Sequence, residues 1–211
     1  MIFNDKYLFL HYPKAAGKSL AVTMVKSWNG PVTAYISKGQ ISDLGPFILE
    51  GSTLYIEGAH QNALTARSLL RNRHQKDIFE FQAVFVAVRD PLDLICSTYF
   101  FLKNAHENGA TRPAFELAAS SSLDEFVRKF APSDFSSWLS LEGKLLPNLK
   151  VIRCENMAED FLKHASSLGF SASGIPHLNA GKAQNYSKLL TPELTELVRE
   201  KYSTLYQLGL Y

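Results

Sequence analysis

The chain has 211 residues, 46% of them hydrophobic and 20% charged, a composition that suits one folded domain spanning residues 1–211 and excludes intrinsic disorder. Its 12 glycines and 9 prolines exclude collagen-like or linker-like character. A net charge of +2 with a pI near 8.4 is too mild to argue for a nucleic-acid partner. Two cysteines, Cys96 and Cys154, are too few for a disulfide scaffold or a cysteine zinc site, so the expected setting is a reducing cytoplasm. The longest apolar run, Ala83 to Val88, falls far short of the roughly 20 residues of a membrane helix, and no signal-peptide pattern opens the sequence; no integral membrane segment is expected.

In chain order, Tyr7–His11 reads as a short buried strand that runs into the loop Pro13-Lys-Ala-Ala-Gly17, and a helix is expected from Gly17 to about Trp28. Thr53–Ile56 and Phe81–Val88 read as further strands. Between Pro91 and His106, the residues Leu92, Ile95, Cys96, Tyr99 and Leu102 fall on one helical face. Leu123, Phe126, Val127 and Phe130 repeat that spacing. Leu149–Ile152 is a fourth expected strand, followed by a helix from about Met157 to an αL cap at Gly169. Leu194, Leu197, Val198, Tyr202 and Leu205 mark a last helical face. Strands alternating with helices point to an α/β protein with a central parallel sheet covered by helices on both faces. In such sheets ligands bind beyond the carboxyl ends of the strands.

Two strand ends carry suggestive chemistry. After the first strand, His11-Tyr-Pro-Lys-Ala-Ala-Gly-Lys-Ser19 passes through small residues into a helix whose N-terminus favours negative charge, and Lys14 and Lys18 add positive charge there. Phosphate or sulfate is the expected guest. Gly17, Lys18 and Ser19 match the second half of the triphosphate loop G-x-x-x-x-G-K-[ST], but its first glycine would be residue 12, which is Tyr12. The second strand end is Val88-Arg89-Asp90-Pro91, with Asp90 as N-cap and Pro91 at the first helical position. Arg89 there, and Ser97 about two turns along the helix, can grip a second phosphate.

Taken together, these segments resemble the sulfotransferases. His11-Tyr-Pro-Lys-Ala-Ala-Gly-Lys-Ser-Leu20 is similar to their 5′-phosphosulfate loop, H-x-P-K-T/A-G/A-G-T/S-S-L, and Phe85 to Tyr99 to their 3′-phosphate motif, F-x-F-V-R-x-P-x-x-R-L-x-S-x-Y. His60, Ala63 and Arg67 resemble an H-x-x-A-x-x-x-R segment. Ile152-Arg-Cys-Glu-Asn-Met-Ala-Glu-Asp-Phe161 resembles R-x-E-N-L-x-x-D-F, and Pro176-His-Leu-Asn-Ala180 with the Tyr-rich ending resembles the family's C-terminal segment. The nearest branch is the carbohydrate-type group, sulfotransferase family 2, which has many compact bacterial members. The sequence departs from it at Gly181, where serine is common, and at Asp93, where the family has a basic residue; the acidic residue often found near the end is absent.

The resemblance implies a P-loop-like sulfotransferase fold, 3′-phosphoadenosine 5′-phosphosulfate (PAPS) as donor, 3′-phosphoadenosine 5′-phosphate (PAP) as product, and a hydroxyl or amine acceptor, by analogy a hydroxyl of a glycan. Lys14 would stabilise the leaving bridging oxygen, with Ala16, Gly17, Lys18 and Ser19 cradling the phosphosulfate. Arg89 and Ser97 would hold the 3′-phosphate. His60 would take the acceptor's proton, since its ordinary pKa lies near neutrality. His11 would support the donor loop, His177 and Lys182 would close over the nucleotide, and Glu155 would orient a neighbour or end a strand. The chemistry needs no metal. Ala105 to Ser122 and Val32 to Gly51 could line the acceptor cleft. Two rival readings stand beside this one: a magnesium-dependent P-loop kinase using Lys18 and Ser19, and a non-catalytic nucleotide- or glycan-binding module of the same fold. No oligomeric state follows from the sequence.

Overall fold

The computed structural model describes residues 1–171 and 186–211, which group into two units: Met1–Val88 with 137–171, and Arg89–Ser136 with 186–211. A six-stranded sheet organises the first unit. Its opening strand, β1 (Ile2–Phe3), turns back antiparallel onto β2 (Tyr7–Leu10), with Ile2 opposite Phe9. Asn4 makes that turn, its side-chain oxygen accepting from the N–H groups of Lys6 (2.9 Å) and Tyr7 (2.8 Å). Beyond β1 lie β3 (Thr33–Tyr35) and then β4 (Thr53–Tyr55) at the edge; beyond β2 lie β5 (Ala83–Val88) and β8 (Leu149–Arg153). The pairs β2/β5, β5/β8 and β3/β4 are parallel. The sheet is therefore mostly parallel, with the two-residue β1 as its one reversed strand. A hairpin of β6 (Ser140–Leu141) and β7 (Lys144–Leu145) stands apart from it, turning at Glu142 and Gly143, both with positive φ as a two-residue hairpin loop requires.

Every residue of β2 and β5 is buried, so both faces of the sheet are covered there, whereas Thr53 and Leu54 at the β4 edge are exposed. The helices of this unit are α1 (Gly17–Trp28), the single-turn α2 (Ile41–Leu44), α3 (Ala63–His74), the short α7 (Ser136–Leu139) from its second residue on, and α8 (Met157–Leu168). Gly169 closes α8 in the left-handed conformation (φ 74°), as its position in the sequence indicates.

The second unit is helical, comprising α4 (Pro91–Glu107), α5 (Pro113–Ser120), α6 (Leu123–Lys129), α9 (Pro192–Lys201) and α10 (Ser203–Gln207). Asp90 caps α4 as expected, accepting from the N–H groups of Leu92 (2.8 Å) and Asp93 (3.3 Å), and Pro91 occupies the first turn. Ile95, Cys96, Tyr99 and Leu102 are buried on α4, and the Tyr99 hydroxyl donates to the Ser121 carbonyl (3.0 Å). The face running from Leu194 to Leu205 is split, because helical geometry breaks at Tyr202 (φ −114°, ψ 26°) while Leu194, Val198, Tyr202 and Leu205 all stay buried.

One ion pair explains much of the Ile152–Phe161 sequence pattern. Asp160, in the first turn of α8, accepts from the Arg153 guanidinium at Nε (3.0 Å) and NH2 (2.9 Å) and from the Arg153 backbone N–H (2.9 Å). The strand end is thereby tied to the helix that follows it. Those Arg153 hydrogen bonds hold the Asp160 carboxyl below the usual carboxylate range. A carboxyl with a depressed folded pKa adds stability above its unfolded value, about 3.9, and loses it as pH falls through the lower folded value. Asp160→Ala should cost about 1–2 kcal/mol near neutrality, a fall in Tm of about 3–6 °C, given that Arg153 is partly solvated. Thermal melts compared at pH 7 and pH 3 should show the two proteins converging in acid.

Candidate functional site

The loop after β2 is shaped by backbone conformation and by one close packing contact. Lys14 (φ 62°) and Ala16 (φ 53°) are both left-handed, a conformation that costs a non-glycine residue about 1–2 kcal/mol. Ala16 stands at the N-cap of α1 without a side-chain hydrogen bond to the first turn. The N–H groups of that turn are thus left without the usual Ser, Thr, Asp or Asn cap, the arrangement in which a helix start receives an anion. Tyr12, where a triphosphate loop has its first glycine, is buried, its ring edge-on to Trp138 at 4.8 Å.

Gly17 has a structural reason to be glycine. A Cβ built there would fall 1.7 Å from Nε2 of His11, so the His11 imidazole lies directly over the Gly17 backbone. That ring is buried, roughly parallel to Phe9 at 6.1 Å and edge-on to His60 at 4.5 Å. Burial pushes its pKa well below the ordinary histidine value, with the charges of His60, the Met1 amine, Lys18 and Lys14 acting in the same direction.

His60 follows the exposed turn after β4 and is itself exposed to solvent. Its Nδ1 is 3.0 Å from the His11 backbone oxygen. A carbonyl only accepts, so Nδ1 carries the proton and Nε2 is left with the lone pair. The segment on either side is pinned: the Met1 amine donates to Ala59 O (3.2 Å) and to Gln61 Oε1 (2.7 Å), as well as to Tyr35 O (3.1 Å). Desolvation lowers the His60 pKa, only partly offset by the His11 carbonyl, so the imidazole is neutral near pH 7. Lys14, Ala16, Gly17, Lys18, Ser19 and His60 therefore share one region of the first unit, joined through His11.

Other residues have partners that no local pattern announces. Lys18 Nζ pairs with Asp43 of α2 at 3.1 Å. Arg67 is occupied structurally, with Nε 3.1 Å from Asp77 and its guanidinium over the Phe79 ring at 4.7 Å. Glu155 lies in a short 3₁₀ turn directly after β8. Ala105 to Ser122 supplies the end of α4 and all of α5, and Val32 to Gly51 supplies β3 and α2.

Arg89 is the residue after β5 and opens the second unit; its guanidinium stands 4.0 Å from Asp93 one turn on, and Ser97 is half-buried on α4. Asp93, at the position where the resemblance calls for a basic residue, thus faces Arg89. His177 and Lys182 lie outside the described residues. Among the described residues, no group of three or more His, Cys, Asp or Glu side chains is placed to hold a metal ion, and no helix is long and apolar enough to cross a membrane.

Among solved structures, the fold is similar to that of a mouse sulfotransferase, SULT7A1, complexed with PAP, with a TM-score of 0.56 and 17% identity over 94% of this chain and 85% of that one. No protein-family model and no curated protein matches the sequence. At 17% identity the likeness is one of fold, a central and mostly parallel sheet flanked by helices.

The Gly17–His11 contact makes a specific demand. Gly17→Ala should destabilise the protein by about 3 kcal/mol through overpacking. In Gly17→Ala/His11→Ala the obstructing ring is gone, so the double variant should be more stable than the sum of the single losses by about 1–2 kcal/mol. Urea denaturation of the four proteins measures this; strictly additive losses would refute the contact.

Proposed function

We propose that this protein is a PAPS-dependent sulfotransferase that moves a sulfuryl group to a hydroxyl acceptor. The observation that carries the reading is the strained, uncapped Lys14–Ser19 loop with His60 oriented beside it through His11, on a fold similar to that of a PAP-bound sulfotransferase. In this reading Lys14 places its ammonium against the bridging oxygen that gains charge as the nucleotide departs. The backbone N–H groups of Ala16, Gly17, Lys18 and Ser19 hold the 5′-phosphosulfate, and Arg89 with Ser97 holds the 3′-phosphate and so the register of the nucleotide. Nε2 of His60 takes the acceptor's proton as its oxygen attacks sulfur in line with the leaving phosphate. Lys182 contributes to nucleotide binding.

Residues 1–211 act as one sulfotransferase domain of the carbohydrate-type branch, with a glycan or another hydroxyl compound as acceptor, in the cytoplasm and without a metal. The kinase reading would place the Lys18 ammonium on β- and γ-phosphates; its pairing with Asp43 favours a backbone role instead. A fold retained purely for nucleotide or glycan binding gives no occupation to the uncommitted basic nitrogen of His60.

Calorimetry should detect PAP binding that is unchanged by magnesium, and no magnesium-dependent binding of ATP; the reverse pattern would establish the kinase. In a radiolabelled sulfate-transfer screen over mixed hydroxyl acceptors, product should form. Lys14→Ala should cut kcat by about 10²–10³-fold. His60→Ala should cut kcat by about 10²–10⁴-fold while sparing PAP affinity. Arg89→Ala should weaken PAP binding by about 10-fold to 100-fold. PAP binding without transfer to any acceptor would leave the binding module standing.

The proton acceptor must be neutral, and desolvation lowers the His60 pKa. Turnover should therefore be flat near neutrality and fall on the acid side, at a pH below the ordinary histidine value of about 6.5. A midpoint at or above that value, measured from kcat/KM against pH, would remove His60 from the role.

A further inference from the structure

Resting on the reading of His60 as proton acceptor, we propose that His11 is its positioning residue: the His11 carbonyl selects the His60 tautomer, and the His11 ring, clamped against Gly17, holds the His60 ring in place.

Three contacts clamp the His11 ring. Gly17 lies beneath it with no room for a Cβ, Phe9 lies roughly parallel at 6.1 Å, and His60 presents an edge at 4.5 Å with an interplanar angle of 62°. Backbone and ring have separate tasks. The chain around His60 is already held, because the Met1 amine binds the Ala59 carbonyl before it and the Gln61 side chain after it, and that side chain also donates to the Gly58 carbonyl. The orientation of the His60 ring is what remains to be set. The His11 carbonyl sets it at Nδ1 (3.0 Å), and the His11 ring opposes rotation away from that bond. A solvated neutral histidine side chain favours the opposite tautomer, with the proton on Nε2, so without this arrangement the basic nitrogen would turn inward.

The identity of the ring also matters. A residue between the anion loop and His60 that carried charge would repel a protonated His60 and compete for the anion. His11 is buried and kept neutral by desolvation, so it fills the space without doing either. The ionisable groups facing this pair are the Met1 amine at both histidines and, at His11, Lys14 and Lys18. All are cationic when charged, the Met1 amine being pushed down to about 4 by burial, and among the described residues no carboxylate acts on the pair to fix an imidazolium. Near pH 7 the pair therefore stays neutral, with a single basic nitrogen at Nε2 of His60. His11 does not touch the reacting atoms and acts only through His60.

The test is histidine ¹⁵N NMR on the full chain, with the His60 signals assigned through His60→Gln. The wild-type protein should show Nδ1 protonated, Nε2 unprotonated, and a titration midpoint below the ordinary histidine value. His11→Ala should mix the tautomers and move the midpoint up toward the ordinary value. Its kcat should fall by about 10-fold to 100-fold, with a smaller change in PAP affinity. His11→Phe keeps a neutral ring of similar size and the backbone carbonyl, so it should retain the wild-type tautomer and midpoint. A wild-type His60 protonated at Nε2 would overturn the proposal, as would an unchanged spectrum in His11→Ala or a lost tautomer in folded His11→Phe. If His11→Ala does not fold, the wild-type and His11→Phe spectra decide. These spectra need no nucleotide, so the expected tautomer combined with failure to bind PAP would refute the sulfotransferase reading and leave the role of His11 intact.

Discussion

The approach of an imidazole to a helix start organises the first unit around the end of β2. Because His11 lies on Gly17, the residue leaving β2 and the residue beginning α1 are held together. The Tyr12–Ala16 segment must bridge two anchored points with few conformations open to it, consistent with left-handed Lys14 and Ala16. The same imidazole also lies edge-on to the His60 ring, and the His11 backbone carbonyl fixes which His60 nitrogen can accept a proton. Moving His11 would therefore disturb the loop, the helix start and the basic nitrogen together.

The electrostatics of this region follow from what is buried and what is paired. His11 loses its charge to burial, Lys18 shares its charge with Asp43, and the uncapped first turn of α1 offers N–H groups. The positive potential at the helix start then draws on the backbone dipoles of α1 rather than on a loose cluster of solvated lysines. Preorganised dipoles of this kind need no rearrangement when charge develops on a bound group. The strain at Lys14 and Ala16 amounts to about 1–2 kcal/mol at each residue, which suits a loop shaped for a ligand more than for stability alone.

Much of the scaffold was legible because its signals are local. Buried apolar runs mark β2 and β5, a short half-buried run marks β8, the Asp90-Pro91 pair marks the start of α4, and Gly169 marks the end of α8. Two-residue β1 is too short to show periodicity and is defined by its partners on both sides. β3 is nearly as short, and α3, with three arginines and a histidine, has too weak an apolar stripe to stand out. The break at Tyr202 was hidden because the buried face continues through it. At the site, Lys14, Gly17 and His60 were visible as motif residues, whereas Asp43, Gln61 and the Met1 amine were not. Their contacts span 25 residues from Lys18 to Asp43, 60 from Met1 to Gln61 and 58 from Met1 to Ala59.

Residue order alone determined the α/β class, the strand-to-helix loop with its lysines and small residues, and the capped arginine-bearing end of β5. These depend on chain-local chemistry: side-chain period, backbone restriction at proline and glycine, and capping. Tertiary structure decided which histidine nitrogen is basic, why position 17 has no side chain, and which carboxylate occupies Lys18. Each of those outcomes depends on which groups become neighbours and lose their water once the sheet has assembled, and sequence spacing does not encode that proximity.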